Sequence, residues 1–348
     1  MHDLVHDLAL DVSQKECKTV NSETETVDEN IRHLLLCDEK LVEVPRVLEE
    51  MKNVQTLIVQ DGSMRSKIVD KSLINLCFSN FKYLRALKLR KSPLTALPKS
   101  IGTLKHLRDL DLGRCKDISE LPKSFYKLRS LQWLDLGVSS LKQLPDSVQR
   151  LIELRHLVIT IEAKHLKEIP AGCWTYLQYL ELRTCMELEC LPEGMQYLKS
   201  LRTLVLSNCY KLVSLPRSLK FLTKLEHLQI VSCLEMNLKM EPQEEEDKDL
   251  QLSLKTLSLV NLPALTDLPR LLLQGSSSTL QQLQIKFCQH LSVLPAWLLN
   301  VTSLHKLEIE NCSNLSALPE GIDRLTNQRE LRIHQCRKLS KRYRENGG

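Results

Sequence analysis

No apolar run in this chain approaches the roughly 18 residues that a membrane-spanning helix needs, so no membrane span is expected. The first residues, Met1-His2-Asp3-Leu4, lack the basic start and long apolar stretch of a secretory signal, which points to a cytoplasmic protein. No G-x-x-x-x-G-K-[ST] string occurs, and with it goes the backbone cradle and lysine that hold nucleotide phosphates. The 12 cysteines include no C-x-x-C or C-x-x-H pair, so zinc has no local ligand spacing and no metal site is expected. With 48 basic and 43 acidic residues the net charge is only +5, too mild to single out a polyanion. Basic and aromatic residues are not interleaved along one stripe, which argues against nucleic acid. No motif fixes a catalytic geometry among the histidines, serines and cysteines, and the chain reads as a non-enzyme.

What is present is a repeat. The pattern L-x-x-L-x-L opens at Ile31, Val54, Leu84, Leu107, Leu131, Leu154, Leu177, Leu201, Leu225, Leu254, Leu280, Leu304 and, less perfectly, Gln328. The commonest step is 23 or 24 residues, the spacing of leucine-rich repeats. The last two leucines stand two apart, so on an extended strand they share one side while the residue between them faces away. No single copy can bury its apolar side alone; one strand per copy, stacked in parallel, makes a continuous core. The expected fold is an α/β solenoid: a leucine-rich-repeat horseshoe with a parallel sheet on its concave face, preceded by a short helix. Thirteen strands about 4.8 Å apart would give an inner arc of roughly 60 Å, a surface suited to macromolecules.

The other half of each copy is as regular. Proline follows the final aliphatic at Pro45, Pro98, Pro122, Pro145, Pro170, Pro192, Pro216, Pro269, Pro295 and Pro319. A residue with fixed φ and no N–H suits the return path and not a central strand. Beyond it, pairs such as Ile101 with Leu104, Phe125 with Leu128 and Ile322 with Leu325 predict a short helical turn. Cys115, Cys185, Cys209, Cys233, Cys288, Cys312 and Cys336 occupy one repeat position, and they read as reduced, buried thiols at the bend off the sheet. Asn300, Asn311 and Asn314 match N-x-[ST], and no glycan is assigned to them.

Four segments follow. Residues 1–20 stand outside the repeats, with Leu4, Leu8 and Val12 on one stripe of a helix. Residues 21–30 are polar and acidic and read as a linker, residues 31–339 hold the repeats, and residues 340–348 form a basic disordered tail. The acidic run from Glu241 to Asp249 reads as a solvated insertion.

The string Met1-His2-Asp3-Leu4-Val5-His6-Asp7-Leu8-Ala9 resembles the M-H-D segment that closes the nucleotide-binding domain of plant intracellular nucleotide-binding leucine-rich-repeat disease resistance proteins. As in that family, a linker and L-x-x-L-P repeats follow directly. The repeats from Phe81-Lys82-Tyr83-Leu84-Arg85-Ala86-Leu87 through Leu131-Gln132-Trp133-Leu134-Asp135-Leu136 resemble its coiled-coil class. The resemblance covers essentially the whole chain as the repeat part of a longer receptor; the L-x-G-x-I-P style of secreted plant repeats is missing. It implies that His2 stands where the family's histidine lies near bound ADP, with Asp3 supporting it. Intact members carry ADP or ATP; this chain, lacking the phosphate loop, is expected to hold no cofactor. The implied role is pathogen recognition and autoinhibition in plant defence. The implied partners are a pathogen effector protein or a modified host protein, and the receptor's own nucleotide-binding domain. A free-standing cytosolic repeat scaffold with no nucleotide switch is the alternative.

The recognition chemistry should sit on sheet positions pointing away from the core: Lys88, Asp109, Asp111, Trp133, Asp135, His156, Tyr179 and Glu181. Trp133, His156 and Tyr179 hold one position in successive copies, which predicts an aromatic row of the kind that anchors protein interfaces. Asp111, Asp135 and Glu181 predict an acidic strip beside it. Lys82, Arg85, Arg90, Lys91, Arg108 and Arg114, with Lys88 among them, form a basic cluster in the early repeats. Since the family's early repeats dock on the nucleotide-binding module, that cluster is the candidate for this contact.

Overall fold

The computed structural model describes residues 16–36 apart from 22–23, 25 and 29, then 46–59, 71–143, 146–242 apart from 167 and 193, 250–322 and 330–345. The predicted helix over Met1 to Val12, with His2 and Asp3, lies outside the described residues. So do residues 243–249 of the acidic insertion and the Gln328 opening of the last copy. Packing gathers the chain into two compact units, one ending at Thr160 and the other starting at Ile161.

In the first unit β1 (Cys17–Val20), β2 (His33–Leu36), β3 (Thr56–Val59), β4 (Ala86–Lys88), β5 (Asp109–Asp111), β6 (Trp133–Leu136) and β7 (His156–Ile159) pair in chain order, every pair parallel. In the second, β8 (Tyr179–Arg183), β9 (Thr203–Ser207), β10 (His227–Val231), β11 (Thr256–Val260), β12 (Gln282–Lys286), β13 (Lys306–Glu310) and β14 (Glu330–His334) do the same. This is the α/β solenoid that the leucine spacing predicts. Register follows the pattern leucine on leucine: Leu87, Leu110, Leu134 and Leu157 align across β4 to β7, all fully buried. Each such side chain contributes about 2 kcal/mol of apolar burial, and it does so only against the copies on either side.

The returns behave as the prolines predict. Pro98, Pro122, Pro216 and Pro295 each sit in extended conformation at the start of a single 3₁₀ turn, over Lys99–Thr103, Lys123–Lys127, Arg217–Phe221 and Ala296–Asn300. Proline supplies the fixed φ, and its missing N–H falls where no partner is needed. Ile101, Leu104, Phe125 and Leu128 are fully buried from this side.

Two ends differ from the sequence reading. Cys17–Val20, placed in the non-repeat segment, is the first strand of the ladder, in register with His33–Leu36. It carries no L-x-x-L-x-L and buries only Val20, so the pairing of its backbone with β2 defines it, continued by the amide of Arg32 on the carbonyl of Glu16 at 2.8 Å. At the other end, the disordered tail drawn from residue 340 is instead helical as far as Glu345, in a helix spanning Arg337–Glu345. Its charge conceals an apolar anchor that docks it, Leu339, which is 3% exposed.

The bends off the sheet reveal a constraint the leucines do not encode. Lys91, Arg114, Val138, Thr184, Asn208, Ser232, Asn261, Phe287, Asn311 and Gln335 all have φ between 52° and 64°, one at the end of each strand from β4 onward except β7. Asparagine adopts this left-handed corner readily, whereas β-branched Val138 and Thr184 and bulky Phe287 hold it at a cost in backbone strain. Directly after it comes the cysteine column. Cys115, Cys185, Cys209, Cys233, Cys288, Cys312 and Cys336 are buried free thiols. Several donate to a carbonyl one copy earlier, as Cys115 does to Leu89 at 3.0 Å and Cys209 to Leu182 at 3.5 Å. Burial pushes the Cys115 thiol up to about 11, so it stays protonated and inert.

Two outcomes are expected. Leu204→Asp places an unpaired charge in the β9 core, where Leu204 is fully buried; it should cost about 4 kcal/mol or more and unfold adjacent copies, and an unchanged thermal melt would contradict the strand assignment. Val138→Asn relieves a β-branched left-handed corner and should stabilise by about 1 kcal/mol; a lower melting temperature would show that the Val138 side chain is needed for packing.

Candidate recognition face

Alternation within each strand turns every second side chain out of the core, and parallel pairing brings equivalent ones together. On β4 to β7 the outward residues align as Ala86, Asp109, Trp133, His156 and as Lys88, Asp111, Asp135, Val158. The rings of Trp133 and His156 stack face to face, with centroids 3.3 Å apart and planes 6° from parallel. Trp133 is nevertheless 43% exposed. A rigid aromatic pair, already paired and still open to solvent, is the anchor that protein interfaces favour because little side-chain freedom remains to be lost on binding. Tyr179 belongs to the second unit, where its hydroxyl donates to Glu181 Oε2 at 2.9 Å.

The carboxylates of the predicted acidic strip do something else. Asp111 and Asp135 are 7% and 6% exposed. Each accepts from the amide two residues on, Asp111 Oδ1 from Gly113 at 2.9 Å and Asp135 Oδ1 from Gly137 at 2.7 Å, which closes the turn leaving the strand. Gly113 fits because a Cβ there would stand 3.0 Å from Asp135 Oδ2 and 3.1 Å from Asp111 Oδ1. Asp109 lies in the aromatic row beside Trp133, paired with Lys88 at 3.3 Å. Burial raises its pKa although Lys88 pulls the other way.

In the second unit Glu181 is the hub of a polar cluster. Arg183 grips it with Nε on Oε1 at 2.7 Å and Nη2 on Oε2 at 2.9 Å, and Ser207 Oγ donates to Oε1 at 3.1 Å. Burial opposes its charge, but the hydrogen bonds of Arg183 and Tyr179, the Arg183 charge and Ser207 outweigh that and hold its carboxyl below the ordinary value. The repeat pattern does not single out Arg183, yet it stands two residues from Glu181 and so on the same strand face. Farther along, Ser258, Gln284, Glu308, Lys286 and Glu310 form a second chain of polar contacts, with Lys286 bridging Glu308 at 2.7 Å and Glu310 at 3.0 Å.

The basic cluster divides. Arg85 and Arg108 immediately precede β4 and β5, while Arg90, Lys91 and Arg114 follow those strands. Arg85 and Arg90 stand five positions apart on nearly extended chain, about 16 Å. Lys88 and Arg90 face carboxylates, Arg90 lying 3.7 Å from Asp111, and Lys82 donates to the carbonyl of Phe78 at 3.3 Å. Arg85 instead lines an open cleft of about 380 Å³ with Asn30, Arg32, Asn53, Gln55, Tyr83 and His106. Among the described residues, no group of three or more His, Cys, Asp or Glu is placed to hold a metal ion, and no helix is long and apolar enough to cross a membrane.

Stacked parallel strands with buried leucines, proline-led returns and an outward row of variable side chains define a repeat solenoid. The family model described as a leucine-rich repeat region matches residues 63–287, more than half of the chain, and the protein belongs to that family. It is similar to disease resistance RPP13-like protein 4 of Arabidopsis thaliana, 26% identical over 214 residues that cover 59% of this chain and 21% of that protein. The match thus spans about a fifth of that relative's length. Among solved structures, a leucine-rich-repeat protein of Leptospira interrogans shares 23% identity at a TM-score of 0.58, covering 92% of this chain and 91% of its own. A chain of the Toll–Spatzle complex of Drosophila shares 18% identity at a TM-score of 0.63, covering 92% of this chain and 43% of that one. These structural likenesses carry the fold alone.

Glu181 gives a pH test. Its folded pKa lies below its unfolded one, so its stabilisation is present above the ordinary carboxylate pKa of about 4.3 and is lost as pH falls through the folded value. Glu181→Gln should be about 2 kcal/mol less stable at pH 7, with the gap to wild type closing as the pH falls below the ordinary carboxylate range. Equal melting temperatures at pH 7 would mean that the cluster contributes nothing.

Proposed function

We propose that this chain is the recognition region of a plant intracellular immune receptor, binding a pathogen effector protein or a host protein modified by one. It would work in the cytoplasm. The observation that carries the reading is the exposed, stacked Trp133–His156 pair on the outward face of the sheet. The likeness to a disease resistance protein supports the immune context. In this reading the repeats also restrain a nucleotide switch in the longer receptor. The basic side chains before and after β4 and β5 contact that receptor's own nucleotide-binding domain. His2 and Asp3 would approach the ADP or ATP held there, with the phosphate loop supplied from outside this chain. The role is binding and not catalysis.

The partner would seat an apolar or cationic side chain against the indole and imidazole, with Asp109 and Lys88 at its rim supplying polar contacts. Nothing in that event needs the sheet to move, because the rings are already parallel. Trp133→Ala should leave the fold and melting temperature unchanged and weaken partner binding by about 2 kcal/mol or more, roughly thirtyfold, with loss of the defence response. A wild-type response from that variant in leaf tissue would remove Trp133 from the recognition site.

A further inference from the structure

The second unit carries an apolar surface that neither the strand face nor the cysteine column accounts for. Met186, Tyr210 and Leu234 each directly follow a buried cysteine of the column, and they are 39%, 37% and 39% exposed. The same position holds Lys116, Gln289, Ser313 and Arg337 after Cys115, Cys288, Cys312 and Cys336. Among the copies that carry the cysteine, apolar character at this position is therefore confined to three consecutive ones and is not a requirement of the bend. Large apolar side chains left in water at one repeating position form a contiguous stripe, the usual mark of a contact surface.

Charge borders the stripe. Lys211, beside Tyr210, pairs with Glu187 at 2.6 Å, and Lys164 pairs with Glu189 at 3.3 Å. Glu189 and Glu235 act on Lys211 as well as Glu187, so three carboxylates surround two ammonium groups and the rim is net acidic. The spacing sets the occupant. Neighbouring parallel strands lie about 4.8 Å apart, which puts Met186 and Leu234 about 10 Å from each other. A helix rises about 10.5 Å over seven residues, so apolar side chains at i, i+4 and i+7 match three successive corners. An extended strand lying the same way would present its like-facing side chains every 6.6 Å or so and fall out of step.

We propose that the Met186–Tyr210–Leu234 corner is a docking site for an amphipathic helix of a partner protein, apolar at i, i+4 and i+7 and basic on the flanks. Leucine or methionine side chains of the helix would pack on Tyr210 at the centre, and flanking lysines would meet Glu187, Glu189 and Glu235.

The test uses the full chain and two synthetic amphipathic peptides of about 18 residues, long enough to be helical, with leucine at i, i+4, i+7 and i+11. One carries lysine at the flanks and the other glutamate. Fluorescence anisotropy should show binding of the lysine peptide, at least about tenfold weaker binding of the glutamate peptide, and at least about a tenfold loss with Tyr210→Ser/Leu234→Ser. Val293→Ser, which removes an exposed side chain elsewhere on the same unit, should bind as wild type. Thermal melting of the double variant should match wild type; if it does not, Tyr210→Gln alone replaces it. No binding of the lysine peptide, equal binding of the two peptides, or full binding by the variants overturns the proposal. So does a wild-type dimer that the double variant abolishes, since the stripe would then join two copies of this chain.

Discussion

Every copy in this chain depends on its neighbours, because a strand of three to five residues followed by one turn cannot cover its own leucines. Leu110 and Leu134 are fully buried only when β4 to β7 stand together, and the parallel ladder closes only if each strand finds both partners in register. The rest of the molecule follows from that dependence. Returns must be short, hence the proline-led 3₁₀ turns. Bends must be tight, hence the left-handed corner and the small thiol behind it.

The same constraint leaves one sheet face free to vary. Core positions hold leucine or isoleucine almost without exception, whereas the outward ones run through lysine, aspartate, tryptophan, histidine and tyrosine. Some of these outward groups serve the scaffold. Asp111 and Asp135 turn back to cap the chain where it leaves the strand, and Glu181 is held by Arg183, Tyr179 and Ser207. The stacked rings of Trp133 and His156 are not consumed in this way, and the proposed recognition site lies there.

The architecture was legible in the sequence because period-2 leucines and a step of 23 or 24 residues admit few folds. The proline and cysteine positions were legible for the same reason: each is a residue type with one physical use at a bend. Less visible were features that many residue types can serve. The left-handed corner is filled by Lys91, Val138, Thr184 and Phe287 as well as by asparagine, so no letter marks it. The strand Cys17–Val20 is defined by backbone pairing and not by side chains, and the helix Arg337–Glu345 hides one buried leucine among charges. Of the candidate site, the Trp133–His156 juxtaposition was readable from repeat spacing. The burial of Asp111 and Asp135 was not, since an outward strand position ordinarily faces water; only the Asp-Leu-Gly string that both share hinted at a turn.

The central claim is that a protein partner meets the outward face of β6 and β7 and not the return side of the first unit's copies. Site-specific photocrosslinking tests it directly. A photoreactive residue would replace His156 in one variant and Lys99, in the first 3₁₀ return, in another, each expressed in leaf tissue with and without pathogen challenge. The account predicts a challenge-dependent adduct from position 156 and none from position 99. An adduct from position 99 alone, or none from 156 in tissue that mounts the response, would contradict it.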